Sequence, residues 1–90
     1  MSVPTQQKAL VLPTRSGEFS IQTTEVPQPG PEDLLVKIEA AALNPADWKI
    51  QTYGTLVNVY PAVLGSDGAG TVVAVGEKVS PDAYTVGDRV

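Results

Sequence analysis

The sequence predicts one mainly β domain with one or two short helices. Glycine and proline, 8 of each in 90 residues, separate short apolar runs, as in folds built from strands and turns. Apolar residues occupy every second position from Leu34 to Ala42, and a valine-rich run, Thr71–Val75, lies between Gly70 and Gly76. Both patterns are typical of strands that are buried on at least one face.

The composition excludes several classes of function. A hydrophobic content of 42% and a charged content of 18% suit a globular domain. The net charge of −4, without clustered lysine or arginine, argues against binding to nucleic acid or anionic membranes. Cysteine and histidine are absent, so the chain lacks disulfides and the usual zinc ligands. No stretch has the length and hydropathy of a membrane span or a signal segment, and we expect a cytoplasmic protein.

Four segments are predicted to be strands, namely 8–12, 18–26, 33–42 and 71–75. Met1–Gln7 is polar, and we expect a frayed start there. The proline-rich segment 27–31 must be an extended loop. In the third strand the alternation predicts one core face and one solvent face: Leu34, Val36, Ile38, Ala40 and Ala42 against Lys37 and Glu39.

A short helix is predicted from Pro45 to about Tyr53. Asn44 is a good N-cap, proline is favoured at the first helical position, and Asp47 places a carboxylate in the first turn. Gly54 then follows the helix, as glycine commonly does.

The glycines Gly65, Gly68 and Gly70 do not form a dinucleotide-binding turn. Their spacing is the reverse of G-x-G-x-x-G, and they precede a strand instead of opening a helix. We interpret them as backbone geometry for a bent strand, since glycine in or beside a strand marks a bulge, a sharp bend, or a close approach of another backbone or a ligand. Asp67 among them is predicted to bond turn amides, and Ser66 has no histidine to activate it.

The strand-to-helix junction is the candidate functional site. Asn44 supplies an amide, the first helical turn supplies free N–H groups, and Lys49 supplies a cation, which we expect to meet in one cleft. Trp48 could form a flat wall for a ring. The ordinary interpretation is a capped helix with a core tryptophan and a surface lysine.

The chain resembles the N-terminal domain of the medium-chain dehydrogenase/reductases. The resemblance rests on five segments in this order: 8–12, 26–38, 42–49, 64–76 and 86–90. The nearest branch is that of the zinc-independent quinone oxidoreductases and fungal trans-acting enoyl reductases. The resemblance covers nearly the whole chain and implies a GroES-like, partly open β-barrel. In that family a Rossmann domain follows, and residues 1–90 contain none. We therefore expect a truncated N-terminal domain that is inactive alone and binds NADPH weakly.

The resemblance also implies the chemistry. Hydride would pass from NADPH to an enoyl thioester, which a carrier protein could hold, or to a quinone-like acceptor. Lys49 and Asn44 would be catalytic, and the cofactor would border Pro45, Ala46, Asp47, Trp48 and Lys49. Zinc alcohol dehydrogenases have a cysteine near Asn44 and a histidine at Ser66, so we expect no metal here. The full-length protein would be a monomer or a homodimer. The alternatives are a non-catalytic GroES-like binding or scaffold module and a catalytically idle relative.

Overall fold

The computed structural model describes residues 3–90, and strands prevail in it. The elements in chain order are β1 (Gln6–Val11), β2 (Ser20–Glu25), β3 (Leu34–Ala40), α1 (Pro45–Tyr53) and β4 (Ala69–Val75). The predicted mainly β class with a short helix is therefore confirmed. The predicted fraying is wrong for Gln6 and Gln7, which already pair in β1, and residues 1–2 lie outside the described part.

The chain forms two compact units. Among the described residues, the first contains 3–5, 26–41 and 68–90, with β3 and β4. These two strands are antiparallel, from Leu34 opposite Val75 to Ala40 opposite Ala69. On the other side of β4, the last residues of the chain pair with it, since Gly70 and Val90 exchange two backbone hydrogen bonds of 2.9 and 3.0 Å. β4 is therefore the middle strand of this unit, and Val72 within it is buried.

The predicted core face of β3 is only partly correct. Leu34 and Val36 are half-buried, whereas Ala40 is exposed and Ile38 is 58% exposed. The register between β3 and β4 shifts twice, between Leu35 and Val36 and between Ile38 and Ala40. Because a bulge disturbs the alternation of side chains along a strand, strict period-two reasoning fails beyond it. Ala42 lies past the end of β3 and is exposed.

Gly70 is the point of closest approach between β3 and β4. A Cβ atom built there would overlap the carbonyl oxygen of Lys37 and would lie 2.8 Å from its carbonyl carbon and 3.0 Å from the Cα of Ile38. No side chain fits in this space without moving backbone. Of the alternatives that the sequence left open for these glycines, Gly70 is thus a place where another backbone comes close.

The second unit contains residues 6–25 and 42–67, with β1, β2 and α1. β1 and β2 are antiparallel in unbroken register, from Gln6 opposite Glu25 to Val11 opposite Ser20. Leu12 continues the line of β1 and exchanges backbone hydrogen bonds of 2.8 and 2.9 Å with Ala62. Val11 and Leu12 are buried and form the centre of this unit. Within residues 3–90, α1 falls short of the length and hydropathy that crossing a bilayer requires.

Candidate functional site

The N-terminus of α1 is built as predicted. Asn44 is the N-cap, with extended dihedrals of φ −126° and ψ 148°, and Pro45 opens the helix. The Oδ2 atom of Asp47 accepts a hydrogen bond of 3.0 Å from the backbone N–H of Asn44. The N–H of Asp47 in turn faces the Asn44 side chain, which completes a capping box, and donates to the backbone carbonyl of Asn44 at 3.0 Å. This reciprocal pairing fixes the main chain of the junction and is worth about 1 kcal/mol.

The second carboxylate oxygen of Asp47 has no partner. Its Oδ1 atom is buried and forms no hydrogen bond with residues 3–90. A buried acceptor without a donor costs roughly 1–3 kcal/mol. Asp47 thus has a structural role in the cap, and its predicted contact with a cofactor stays a prediction.

The C-terminus of α1 is fixed by residues from the turn after β1. Gly54 ends the helix in the left-handed region, with φ 65° and ψ 28°, and its N–H bonds to the carbonyl of Ile50 at 2.9 Å. The guanidinium of Arg15 donates to the carbonyl of Gly54 and lies 5.5 Å from the ring centroid of Tyr60. Gln51 Nε2 donates to a backbone carbonyl of the same turn at 2.9 Å. With both ends anchored, α1 is a rigid support for its exposed side chains.

Trp48 and Lys49 form an exposed aromatic and cationic pair on this support. The indole is 51% exposed, so the expected core tryptophan of the ordinary interpretation is not found. The Nζ atom of exposed Lys49 lies 5.7 Å from the Trp48 ring centroid. Tyr53 adds a second ring, 6.1 Å away and tilted by 51°. Other large apolar side chains of the chain are more exposed, such as Ile21 at 73% and Leu43 at 96%, so the exposure of Trp48 shows that its ring is available to a ligand and does not by itself mark a site.

The remaining predicted residues of the junction are less prominent. Pro45 is exposed and Ala46 is half-buried. Pro45 lacks an N–H, so it offers a ligand only its apolar ring and its carbonyl oxygen. Pro45 and Ala46 are therefore better suited to form the apolar wall of a site than to make polar contacts with a ligand.

Asn44 and Lys49 make separate contacts. The Nδ2 atom of Asn44 approaches Oδ2 of Asp67 at 3.5 Å, whereas the ammonium of Lys49 stands near the indole. Asn44 precedes the helix with extended dihedrals, whereas Lys49 lies within it, and the two side chains have different neighbours. The structure therefore groups Lys49 with Trp48 and groups Asn44 with Asp67. The predicted roles of Asn44 and Lys49 in catalysis stay predictions.

Sequence reasoning missed the contact between Asp67 and the junction. Besides Asn44, this carboxylate approaches the backbone N–H of Ala42 at 3.3 Å through Oδ1. Asp67 was expected to bond amides of its own turn, yet these partners lie 23 and 25 residues earlier in the chain. Only the folded chain shows this proximity.

The residues present do not fit a catalytic zinc ion. Such sites use thiolate, imidazole and carboxylate ligands, and the chain has no cysteine or histidine. Within residues 3–90, carboxylates do not gather in groups of three that could hold a metal. The exposed Trp48 ring can instead pack against a flat group, and Lys49 can meet a negatively charged oxygen.

The comparisons with known proteins identify the family. The alcohol dehydrogenase GroES-like domain matches residues 30–90. The chain belongs to this family. It is 45% identical over 76 residues to trans-enoyl reductase tndF of Aspergillus flavipes, covering 83% of this chain and 22% of the relative. It is 46% identical over 68 residues to a chloroplastic quinone-oxidoreductase homolog of Spinacia oleracea, covering 72% and 20%.

A solved structure supports the GroES-like fold. A protein from Sinorhizobium meliloti 1021, provisionally assigned as a zinc-binding dehydrogenase and bound to NADP, superposes with a TM-score of 0.80 at 34% identity. The match covers 91% of this chain and 23% of that one. The predicted membership of the medium-chain dehydrogenase/reductases is thus confirmed. This GroES-like chain spans between a fifth and a quarter of the length of these relatives, 20–23%.

Proposed function

We propose that this GroES-like chain is the substrate-side domain of a zinc-independent, NADPH-dependent oxidoreductase that reduces an enoyl thioester or a quinone-like acceptor. The observation that carries the proposal is the exposed Trp48–Lys49 pair on a helix anchored at both ends. The similarity to enzymes named trans-enoyl reductase and quinone-oxidoreductase homolog supports the choice of acceptor.

Lys49 is assigned the electrostatic role. When bound, NADPH supplies the hydride, and the acceptor then carries negative charge on its carbonyl oxygen. The ammonium of Lys49 is exposed and can form a charge-assisted hydrogen bond with that oxygen. Its stem is free to turn from the indole toward a ligand, since the contact with Trp48 is only a cation–π contact at 5.7 Å.

The other junction residues hold and shape the site. The indole of Trp48 offers a flat apolar face, against which a ring can stack and exclude water. Pro45 and Ala46 would border the same ligand with small apolar surfaces. Asn44 offers an amide that can accept or donate a hydrogen bond at the cap. A carrier protein that presents the acyl group would be the macromolecular partner of an enoyl reductase.

The test uses the complete polypeptide that carries this chain. NADPH oxidation is followed with an α,β-unsaturated acyl thioester and with a naphthoquinone. Lys49→Ala is expected to lower kcat by about 10²–10³-fold, the usual effect of losing one oxyanion donor. Lys37→Ala is the matched control, because Lys37 is an exposed lysine on β3, in the other unit, and it should leave kcat unchanged.

Two results would contradict the proposal. Equal kcat values for Lys49→Ala and Lys37→Ala would remove the catalytic role of the cation. If NADPH is oxidised neither with the thioester nor with the naphthoquinone, the alternative of a non-catalytic binding or scaffold module is favoured.

A further inference from the structure

The segment 65–69 is an exposed stretch that leads into β4. Each of its residues is exposed, and the strand begins only at Ala69. Within residues 3–90 the N–H of Gly68 donates to no backbone carbonyl. The peptide bond between Asp67 and Gly68 therefore lies outside the strand ladder and among exposed residues.

Asp67 is the aspartate of this chain that glycine follows, whereas each of the others precedes a residue with a side chain. Glycine has no Cβ atom, and its backbone reaches dihedral angles that other residues avoid. The nitrogen of Gly68 is therefore less hindered than the nitrogen after any other aspartate. The carboxyl carbon of Asp67 can come within bonding distance of it.

The contacts of the Asp67 carboxylate are too long to hold the side chain firmly. Oδ1 lies 3.3 Å from the backbone nitrogen of Ala42, and Oδ2 lies 3.5 Å from Nδ2 of Asn44. Strong hydrogen bonds to a carboxylate are about 2.7–2.9 Å long, and both of these contacts are exposed. The side chain is thus free to turn toward Gly68.

We propose that Asp67-Gly68 is a site of spontaneous isomerisation, at which the aspartate becomes isoaspartate through a cyclic succinimide. The nitrogen of Gly68 bonds to Cγ of Asp67, the Cγ–OH bond of the protonated carboxyl breaks, and the hydroxyl leaves with the N–H hydrogen as water. A second water then opens the ring. Cleavage at Cγ restores aspartate, whereas cleavage at the α-carbonyl carbon leaves the main chain running through Cβ and Cγ. The product has the mass of the original chain, and no oxidant or reductant is needed.

The modification changes the chain just before β4. It adds one carbon atom to the main chain, and it turns the carboxyl group that approaches Ala42 and Asn44 into a peptide carbonyl. The carboxylate of the product is instead carried on Cα, which is the group that isoaspartate methyltransferases esterify. This inference does not depend on the proposed reductase function.

The site is tested by incubating the 90-residue chain at neutral pH and digesting it with endoproteinase Asp-N, which cleaves before aspartate and not before isoaspartate. Cleavage before Asp67 should be lost progressively, in a product of unchanged mass. Cleavage before Asp82, which is exposed but precedes alanine, should stay complete. An isoaspartate methyltransferase with labelled S-adenosylmethionine should mark the peptide that contains residue 67.

Gly68→Ala is the variant that should keep the fold and suppress the reaction. A Cβ atom there would meet Ile38 at 3.4 Å and the carbonyl oxygen of Ala40 at 3.5 Å, which are ordinary contacts, and circular dichroism checks the fold. Loss of cleavage that is equally fast in Gly68→Ala and in the native chain would exclude the succinimide route and overturn the proposal.

The native chain is also compared with the chain unfolded in guanidinium. Comparable rates of loss before Asp67 would show that the fold leaves this bond open to reaction, as proposed. Loss in the unfolded chain alone would show that the folded segment protects the bond, and would overturn the inference. Cleavage before Asp67 that stays as complete as cleavage before Asp82 in both states would overturn it as well.

Discussion

A single methyl group at Gly70 is expected to destabilise the first unit severely. In Gly70→Ala the new Cβ would overlap the carbonyl oxygen of Lys37 and crowd the Cα of Ile38 at 3.0 Å. Ordinary contacts between carbon atoms lie near 3.5–4.0 Å, so β3 and β4 must separate. The three nearest atoms that the new Cβ would meet all belong to the backbone of β3. Rotation of a side chain therefore cannot make room for it.

The size of the effect follows from overpacking and from lost backbone hydrogen bonds. Overpacking costs about 1–3 kcal/mol, and the two bonds between Gly70 and Val90 are weakened with it. A total loss of about 3 kcal/mol lowers the melting temperature of a domain of this size by roughly 12–24 °C.

Gly68→Ala is the matched control two residues away. A Cβ at Gly68 would meet only the side chain of Ile38 at 3.4 Å and the carbonyl oxygen of Ala40 at 3.5 Å. We expect this variant to stay within about 1 kcal/mol of the native chain. Thermal and urea unfolding, followed by circular dichroism, compare the two. Melting of Gly70→Ala within about 3 °C of Gly68→Ala would refute the steric argument.

Three further predictions concern α1 and its exposed face. Arg15→Ala should lower the free energy of unfolding by about 1–2 kcal/mol, because the carbonyl of Gly54 loses its donor. Lys8→Ala, at an exposed lysine, is the control. Equal urea midpoints for the two variants would contradict the prediction. Asp47→Ala removes the cap hydrogen bond, worth about 1 kcal/mol, and also the buried unpartnered Oδ1, which costs roughly 1–3 kcal/mol. The urea midpoint should therefore stay equal or rise, and a clear fall would show that the cap outweighs the buried oxygen. Trp48 is the single tryptophan, and its fluorescence in the 90-residue chain should show no saturable quenching by micromolar NADPH. Saturation in that range would show that this chain binds the cofactor by itself.

The helix is the element that the sequence predicted best. Asn44, Pro45 and Asp47 mark its start and Gly54 its end, and α1 spans Pro45–Tyr53 as expected. Capping depends on residues within one turn of each other, so local sequence contains the whole signal. The four strands were also predicted from local sequence pattern. Their predicted ends differ from those in the structure by at most two residues.

The candidate site was predicted only in part. The sequence placed Asn44, Trp48 and Lys49 together because they are neighbours in the chain. Sequence contains no measure of exposure, so Trp48 was left as either a flat wall for a ring or a core residue, and the exposed Ile38 on β3 was not foreseen. Burial depends on which distant segments cover a side chain, and local pattern does not contain that information.

Local sequence by itself determined the mainly β class, the capped helix and the family, since each depends on short-range pattern or on the order of motifs. The tertiary structure alone decided the partners of that helix. Arg15 reaches Gly54 across 39 positions, and Asp67 reaches Asn44 across 23. The physical reason is that such polar contacts require their two groups to meet within roughly 3–3.5 Å, and the folded backbone alone brings groups so far apart in sequence to that distance.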